Sequence, residues 1–323
     1  MAHRLQNPED LVLVPGTRSL LVSEFAGMED GAAGLLSRLD LDTNARTPLF
    51  RPGDGGLETA GWGDPACPGP PEEFSPHGID LVERTDGALA LAVVNHAGRE
   101  SVEWFEVERA ASGATVAWRG CVVAPDEGWF NEVVALPDGG FLASHMMPRN
   151  GLGQTLEMIK SGVFGVESGF VYEWSADGGF APIPGTETGF ANGIALAPDG
   201  RTLFVNSSVG GGVLRVDRET GERTGRADVP APDNSTWSED GRLLVASFTA
   251  SFSEFSSCQE LEAGACAASF QIVAVDPESL ETEVVYESDG QTMGAGTVGL
   301  RVGDELFVGS FAGDRILRVR LEP

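Results

Sequence analysis

The sequence predicts an all-β protein, a six-bladed β-propeller that forms a single domain over residues 1–323. Two observations lead to this fold. A unit of strand, turn and strand recurs six times between Glu9 and Gly296, at intervals of about 57 residues. Within each unit, apolar and polar residues alternate with period two, which is typical of strands, and no long stretch has helical periodicity.

Each unit begins with a polar or glycine-containing pair, continues as an alternating strand, turns at a Pro-Asp-Gly-type centre and returns as a second strand. The six units are EDLVLVPGTRSLLVSE from Glu9, HGIDLVERTDGALALAVVNH from His77, NEVVALPDGGFLASH from Asn131, NGIALAPDGRTLFVNS from Asn192, DNSTWSEDGRLLVAS from Asp233 and GTVGLRVGDELFVGS from Gly296. Further strand-like runs complete about four strands a unit, the composition of a propeller blade. The alternative, a two-sheet β-sandwich, does not explain six equal repeats. The last segment, residues 306–323, is expected to share a sheet with the N-terminal strand and so close the ring.

Composition excludes several classes of function. The chain has 49 acidic and 21 basic residues and a formal net charge of −28, a field that repels nucleic acid and anionic membrane surfaces. The longest apolar run, Ala88 to Val94, is too short to span a membrane. The first ten residues lack the pattern of a signal peptide, which leaves two alternatives, a cytoplasmic protein or a signal already removed.

The four cysteines give one expectation. Cys258 and Cys266 are eight residues apart in a polar loop, a spacing that a disulfide can close, while Cys67 lies in a Pro/Gly-rich loop and Cys121 in a strand-like run. No Cys-x-x-Cys motif occurs, so a zinc or thioredoxin-like site has no support.

The opening pairs of the units are the candidate functional residues. In a radial fold, equal offsets in the repeat mean equal height along the axis, so these pairs should converge at one end of the tunnel. Oxygen donors with few charges suit Ca²⁺, whereas zinc prefers His and Cys ligands. The alternative is that these residues only cap strand ends. The converging residues are Glu9, Asp10, His77, Asn131, Glu132, Asn192, Asp233 and Asn234.

Three histidines are placed by counting across the hairpins. A turn at Asp86-Gly87 sets His77 opposite His96, and two opposed imidazoles in a buried channel can transfer a proton. The alternative is a packed pair that stabilises the hairpin. The same count around the turn at residues 138–139 sets His145 opposite Glu132, so a third histidine is expected to border the site.

Two long insertions, residues 146–169 and 249–269, follow second strands and are therefore expected to cover the mouth of the site. Their apolar residues suit a hydrophobic ligand, although ordinary loop packing is an alternative. No phosphate-binding loop and no Gly-x-Ser-x-Gly elbow occurs, which argues against a serine nucleophile. The predicted pocket residues are His145, Met146, Phe164 and Phe252, beside Met147, Leu152, Met158, Ile159 and Phe255.

These residues together resemble the paraoxonase family of calcium-dependent lactonases and arylesterases, and the resemblance extends over nearly the whole chain. The motifs that carry it are Glu9-Asp10-Leu11, Pro76-His77-Gly78-Ile79, Val93-Val94-Asn95-His96, Ala191-Asn192-Gly193-Ile194 with Pro198-Asp199-Gly200, Asp233-Asn234 and Gly296-Thr297-Val298. Asn-Gly-Ile and Pro-Asp-Gly pieces also occur in gluconolactonase-type propellers, whereas the Glu-Asp start, His-Gly-Ile and Val-Asn-His are the specific ones.

The resemblance implies two calcium ions in the central tunnel. The catalytic ion would be held by Glu9, Asn131, Asn192, Asp233 and Asn234, and the structural ion by Asp10, Glu132 and the backbone of Ile79. The sequence departs from the family at Glu132, where Asp is usual. The family's disulfide between the chain ends and its N-terminal anchor have no counterpart in the sequence.

The predicted function is hydrolysis of lactones, with arylesterase activity and a possible phosphotriesterase side activity. His77, oriented by His96, is the predicted general base, and Glu9 is the alternative base. Two other functions stay open: a sugar-lactone hydrolase of the gluconolactonase type, and a non-enzymatic ligand-binding propeller whose calcium only stabilises the ring.

Overall fold

The computed structural model describes residues 4–27, 31–57, 59–110, 113–149, 166–251, 254–255, 258, 261 and 264–321. Six antiparallel sheets follow one another along the chain, and their first strands form a ring, which confirms the predicted all-β six-bladed propeller. These inner strands are β1 (Pro8–Leu13), β5 (Pro76–Glu83), β9 (Phe130–Ala135), β13 (Ala191–Leu196), β17 (Pro232–Trp237) and β21 (Gly296–Val302).

The remaining strands of each sheet lie successively farther from the axis, because each pairs with the strand before it. The second strands are β2 (Ser19–Glu24), β6 (Leu89–Asn95), β10 (Phe141–His145), β14 (Thr202–Ser207), β18 (Leu243–Phe248) and β22 (Glu305–Ser310). The third strands are β3 (Leu35–Asp40), β7 (Ser101–Ala110), β11 (Phe170–Ser175), β15 (Val213–Asp217), β19 (Phe270–Val275) and β23 (Leu317–Arg320). The fourth strands are β4 (Arg46–Phe50), β8 (Gly113–Val123), β12 (Gly179–Pro182), β16 (Arg223–Ala227) and β20 (Thr282–Ser288).

The ring closes differently from the sequence-based expectation. Strand β1 heads the first sheet, and β21, β22 and β23 form a three-stranded sheet of their own, so the predicted shared sheet is wrong. The N-terminal segment instead bonds to the loop after β22: the Asn7 N–H donates to the Gly313 carbonyl at 2.7 Å. The Thr297 hydroxyl also donates to the carbonyl of Glu9 at 2.6 Å. These contacts join the two chain ends without a common strand.

Apolar side chains between neighbouring sheets form the core. Because strand side chains alternate between two faces, every sheet buries both faces against its neighbours. Trp104, Trp118 and Phe141 are among the largest fully buried side chains, and Phe141 stacks on Trp174 with ring centroids 5.4 Å apart. Each such aromatic side chain contributes about 1.5–3 kcal/mol by leaving water.

Every inner strand carries a β-bulge near its beginning, at the opening pair of the repeat. In β5, Pro76 pairs with Asn95 and Ile79 pairs with Val93, so the two residues between them oppose one residue of β6. The same two-against-one count occurs in β9, β13 and β17, and in β1 and β21 a single residue is inserted. A bulge interrupts the ladder and turns its side chains away from the regular strand faces. The residues in the six bulges are Glu9, His77-Gly78, Asn131-Glu132, Asn192-Gly193, Asp233-Asn234 and Thr297.

The bulges correct two predicted strand registers. His145 pairs with Phe130 and not with Glu132, since the bulge in β9 shifts the register at that point. His77 likewise lies in the bulge of β5 and is not paired with His96, which follows the end of β6. The regular part of each hairpin is already one residue away from the simple count, since Phe141 pairs with Ala135 and Leu91 with Leu81, and the bulge shifts the register by one more residue.

Two glycines allow neighbouring bulges to approach each other. A Cβ atom at Gly78 would lie 2.5 Å from the Asn131 carbonyl oxygen, and one at Gly193 would lie 2.4 Å from the Asp233 carbonyl oxygen. No side chain fits at either distance, so both positions require glycine for packing of the inner strands.

Two disulfides are present, one between a loop and an outer strand and one within a single insertion. Cys67, in the loop before β5, is bonded to Cys121 in β8 with a sequence separation of 54. Cys258 is bonded to Cys266, the pair whose spacing suggested a disulfide. The sequence alone did not indicate the bond between Cys67 and Cys121, because its cysteines lie far apart in the chain.

We expect the double substitution Cys67→Ser/Cys121→Ser to lower the free energy of unfolding by about 2–4 kcal/mol, since the bond restricts a long loop of the unfolded chain. Urea unfolding under oxidising conditions measures the loss. The matched control is Cys258→Ser/Cys266→Ser, whose short loop gives a smaller loss. Free thiols at Cys67 and Cys121 in the unreduced, unfolded protein would contradict the pairing.

Candidate active site

A cavity of about 290 Å³ lies at the end of the tunnel where the bulges occur. Each of the six inner strands contributes one bulge residue to its lining, which follows from the equal position of the bulges in the repeat. The six residues are Glu9, His77, Asn131, Asn192, Asp233 and Thr297.

The walls of this cavity are apolar and come from other parts of the blades. Met146, from the predicted set, lies directly after the second strand of its blade, and Phe25 and Phe311 have the same position in theirs. Phe190 precedes the bulge of β13. The full set of wall residues is Phe25, Met146, Phe190, Ser208, Val209, Phe248, Phe255 and Phe311.

Several of these wall residues were missed by the sequence analysis. The signal that finds three of the missed ones is the position directly after the second strand of a unit, which gives Phe25, Ser208 and Phe311 beside the predicted Met146. Of the predicted pocket residues, Phe255 lines the cavity. The following lie outside the described residues: Leu152, Met158, Ile159, Phe164 and Phe252. His145 is not among the described lining residues: its Nδ1 accepts the Trp129 N–H at 3.1 Å, and its ring contacts Phe170.

His77 lies in the cavity wall with a fixed orientation. Its Nδ1 is 2.9 Å from the carbonyl oxygen of Asn131, and since a carbonyl only accepts, Nδ1 carries the proton. The other nitrogen, Nε2, is 3.9 Å from Glu9 Oε1. Burial, reinforced by nearby His96, lowers the pKa of His77 to about 3, so the imidazole is neutral at pH 7.

His96 lies behind His77, with ring centroids 5.1 Å apart and an edge-to-face arrangement. Its Nδ1 is 3.0 Å from Glu100 Oε2, while its buried Nε2 has no hydrogen-bond partner. Phe25 packs against both imidazoles. The two histidines are therefore in contact, but each is oriented by a different group, the Asn131 carbonyl and the Glu100 carboxylate.

Two buried carboxylates of the cavity have strongly perturbed acidity. Burial and the neighbouring Asp10 and Asp233 raise the pKa of Glu9 well above its usual value. Burial likewise raises the pKa of Asp233 to about 8, although a hydrogen bond from Asn192 acts in the opposite direction. A cation among these groups would favour their charged forms.

Four buried side-chain oxygens of the bulge residues lack a hydrogen-bond partner. They are Glu9 Oε2, Asn131 Oδ1, Asn192 Oδ1 and Asn234 Oδ1, and all four residues belong to the predicted set for the catalytic ion. A buried oxygen without a partner costs about 1–3 kcal/mol, so a ligand that bonds to these atoms stabilises the fold. Among the described residues no three His, Cys, Asp or Glu side chains form a metal cluster, and the predicted set has only two carboxylates. Carboxylate and amide oxygens in this ratio fit a hard cation such as Ca²⁺ and not zinc.

In β1 and β9, the residue after the one that lines this cavity faces a different part of the tunnel. Asp10 and Glu132 line a cavity of about 460 Å³ together with Ile79 and Asp80. Asp10 Oδ2 accepts the Ile79 N–H at 2.8 Å, and Glu132 Oε1 accepts the Val133 N–H at 2.8 Å. Burial raises the pKa of Asp10 to about 7 and that of Asp80 to about 6. Asp80 is a third tunnel carboxylate that the sequence analysis missed, because it lies outside the opening pair.

The structure thus divides the predicted residues into two levels. Glu9, His77, Asn131, Asn192 and Asp233 lie at the apolar cavity, while Asp10, Glu132 and Ile79 lie at the inner one. Asn234 lines neither of these cavities and donates from Nδ2 to Glu9 Oε1 at 2.8 Å. The expectation that all opening residues meet at one point is therefore replaced by two levels, since the two residues of the opening pair line different cavities in β1 and β9.

The fold and the site together describe a six-bladed propeller with a polar ring of bulge residues below an apolar pocket. Its fold is similar to that of a gluconolactonase from Xanthomonas campestris, with a TM-score of 0.53, 13% identity and coverage of 99% of this chain and 88% of that one. It is also similar to a structural-genomics target assigned as a gluconolactonase, with a TM-score of 0.53, 14% identity and coverage of 100% and 92%.

A third neighbour is the hydrazine synthase of Kuenenia stuttgartiensis, with a TM-score of 0.51, 15% identity and coverage of 94% of this chain and 74% of that one. At these identities the likeness concerns the fold alone. No protein-family model matches the chain, and no curated sequence matches it. Within the described residues, no helix has the length and apolar character needed to cross a membrane.

Substitutions of Phe190 test whether the backbone just before Asn192 is strained. Its φ of 108° is unfavourable for any residue except glycine and costs about 1–3 kcal/mol. We expect Phe190→Gly to be more stable than Phe190→Ala by about 1 kcal/mol, since both remove the ring but only glycine relieves the backbone. Thermal and urea unfolding measure the difference. Equal stability of the two variants would show that the backbone is not strained at this position.

Proposed function

We propose that the protein is a calcium-dependent hydrolase that opens lactones with apolar substituents and cleaves simple aryl esters as a side activity. The observation that carries the proposal is the set of four unpartnered buried oxygens at the base of an apolar cavity, beside a neutral histidine. The gluconolactonases among the fold neighbours are consistent with lactone chemistry.

The ring of bulge residues would hold the cation. Glu9 and Asp233 would supply its two carboxylates, and Asn131, Asn192 and Asn234 its amide oxygens. A bound Ca²⁺ would polarise the carbonyl group of the ester and stabilise negative charge on its oxygen. Asp10, Glu132 and Ile79 are the proposed contacts of a second, structural ion.

His77 is the proposed general base. Because the Asn131 carbonyl fixes the proton on Nδ1, Nε2 is free to accept a proton from the attacking water. The oxygen of that water forms a bond to the ester carbon, and the ring C–O bond then breaks as the proton passes to the leaving oxygen. The Glu9 carboxylate, 3.9 Å from Nε2, would stabilise the imidazolium in between.

The apolar wall argues for the class of lactone. Phe25, Phe190, Phe248, Phe255 and Phe311 offer no side-chain hydrogen bonds to sugar hydroxyls, whereas they suit alkyl or aryl substituents. A sugar-lactone hydrolase is the second candidate, favoured by the names of the two fold neighbours. The two candidates differ in the substrate they prefer and not in the proposed chemistry.

We expect the purified protein to hydrolyse aliphatic and aryl-substituted lactones faster than sugar lactones. We also expect it to hydrolyse phenyl acetate more slowly than the aliphatic and aryl-substituted lactones. A panel that also contains a phosphotriester, assayed with and without EDTA, tests this, with circular dichroism as the check on the fold. Loss of activity in EDTA with the fold retained is the expected result. Faster turnover of sugar lactones would favour the second candidate. No turnover of any ester would contradict both hydrolase candidates and favour a non-enzymatic ligand-binding propeller.

The ion itself is tested by calorimetric titration of the EDTA-treated, dialysed protein with CaCl₂. We expect Asn192→Ala to weaken Ca²⁺ binding by at least about tenfold, since even residues that only support metal ligands contribute about 10–100-fold. Ser208→Ala is the matched control, because Ser208 lines the same cavity but donates its hydroxyl to the Pro232 carbonyl. Equal affinity of wild type and Asn192→Ala would remove Asn192 from the ligand set.

We expect His77→Gln to lower kcat for the preferred lactone by about 10²–10⁴-fold, the usual contribution of a general base. His145→Gln is the matched control: His145 is also buried, and burial lowers its pKa to about 4, but it does not line the cavity. A near wild-type kcat for His77→Gln would exclude His77 as the base and leave Glu9 as the candidate.

A further inference from the structure

Glu100 connects His96 to the strand that carries Asn131. Its Oε2 is 3.0 Å from His96 Nδ1, and its Oε1 accepts the backbone N–H of Phe130 at 2.7 Å. Phe130 is the first residue of β9 and directly precedes Asn131. One carboxylate therefore fixes both an imidazole and the beginning of a bulge that contributes to the cavity.

The surroundings of Glu100 fix its orientation and make it a hydrogen-bond acceptor. The side chain is buried, yet Arg149 Nη1 lies 3.2 Å from Oε2, and the Arg149 side chain is about one third exposed. The Phe130 N–H and the Arg149 guanidinium can only donate, so each carboxylate oxygen accepts a hydrogen bond whatever the tautomer of His96.

We propose that Glu100 is a positioning residue of the candidate active site, which holds His96 with its proton on Nδ1 and its bare Nε2 toward the interior. An ionised carboxylate only accepts, so the hydrogen bond to Nδ1 selects this tautomer. The buried, unpartnered Nε2 of His96 is then an acceptor close to His77. The catalytic meaning of this inference rests on the proposed hydrolase function, whereas the tautomer itself does not.

The substitution Glu100→Gln distinguishes the two neighbours of the carboxylate, the Phe130 N–H and the His96 imidazole. The backbone N–H of Phe130 can only donate, so the amide oxygen of the glutamine keeps that bond and its NH₂ group faces His96. An NH₂ group needs an acceptor, and His96 supplies one only by moving its proton from Nδ1 to Nε2. Arg149 can turn into water, because it is partly exposed.

The first test is the tautomer of His96, read from the ¹⁵N chemical shifts of imidazole-labelled protein, with His96→Gln to assign the signals. We expect Nδ1 to be protonated in the wild type and Nε2 in Glu100→Gln. The matched control is Glu103→Gln: Glu103 is also buried and bonds to Arg99, Ser101 and Trp118, but to no histidine. An unprotonated Nδ1 in the wild type, or an unchanged tautomer in Glu100→Gln, would overturn the proposal.

The second test is kinetic and applies if the protein hydrolyses any ester of the panel. We expect Glu100→Gln to lower kcat by less than the loss of about 10²–10⁴-fold expected for the base itself, with little change in KM. Glu103→Gln should leave kcat unchanged. In a His96→Gln background the effect of Glu100→Gln should disappear, and an equal effect in both backgrounds would show that Glu100 does not act through His96.

The two tests fail separately. A protein that hydrolyses nothing would disprove the proposed function, while the ¹⁵N shifts would still decide what Glu100 does to His96. An active enzyme with the other tautomer would leave the hydrolase intact and disprove the positioning role.

Discussion

The candidate site depends on one backbone constraint, the β-bulge that every inner strand carries at the same position. A regular ladder would direct successive side chains alternately to the two sheet faces, where neighbouring blades would bury them. The extra residue interrupts this alternation, so that one residue from each blade turns to the apolar cavity. The polar atoms that the bulge frees are satisfied locally, as where Ser23 accepts the Asp10 N–H and Ser144 accepts the Glu132 N–H. Six equal bulges thus create a ring of side chains that no single blade could form.

The inner strands also separate the buried carboxylates of the tunnel into two groups. Four carboxylates are buried near the axis, and burial raises the pKa of each of them, so the ring is unfavourable as a purely structural feature. Glu9 and Asp233 line one cavity and Asp10 and Glu132 line the other, which spreads the charge over two places. Proteins keep unfavourable buried groups mainly where the groups have a function, and the unpartnered oxygens have the chemistry of a cation site.

Much of the fold and of the candidate site could be predicted from the sequence, because both follow from the repeat. The period of the units gave the propeller, and the equal offsets of the opening pairs pointed to Glu9, His77, Asn131, Asn192 and Asp233 as neighbours. The register across the hairpins was mispredicted for two reasons. The ladder of β9 and β10 is one residue away from the count across the turn, and the bulge, which has no compositional signal, moves His145 one residue farther from Glu132. Ring closure was also mispredicted, because residues 5–7 bond to the loop after β22 mostly through backbone atoms, with the Asn7 side chain as one further acceptor. Glu100 was missed because its role depends on a contact with Phe130, thirty residues farther along the chain.

The polar ring and the apolar wall come from different parts of the blade, and this separation bears on specificity. The ring lies on inner strands that must match their neighbours, as Gly78 and Gly193 show, and its geometry has little freedom to change. The wall comes mostly from residues that follow the second strands, where size and polarity can vary without disturbing the ring. Likeness of fold at 13–15% identity therefore says little about the substrate, and the neighbours include a hydrazine synthase beside the gluconolactonases. The five phenylalanines above the ring are consequently a better basis for the proposed substrate class than the propeller itself.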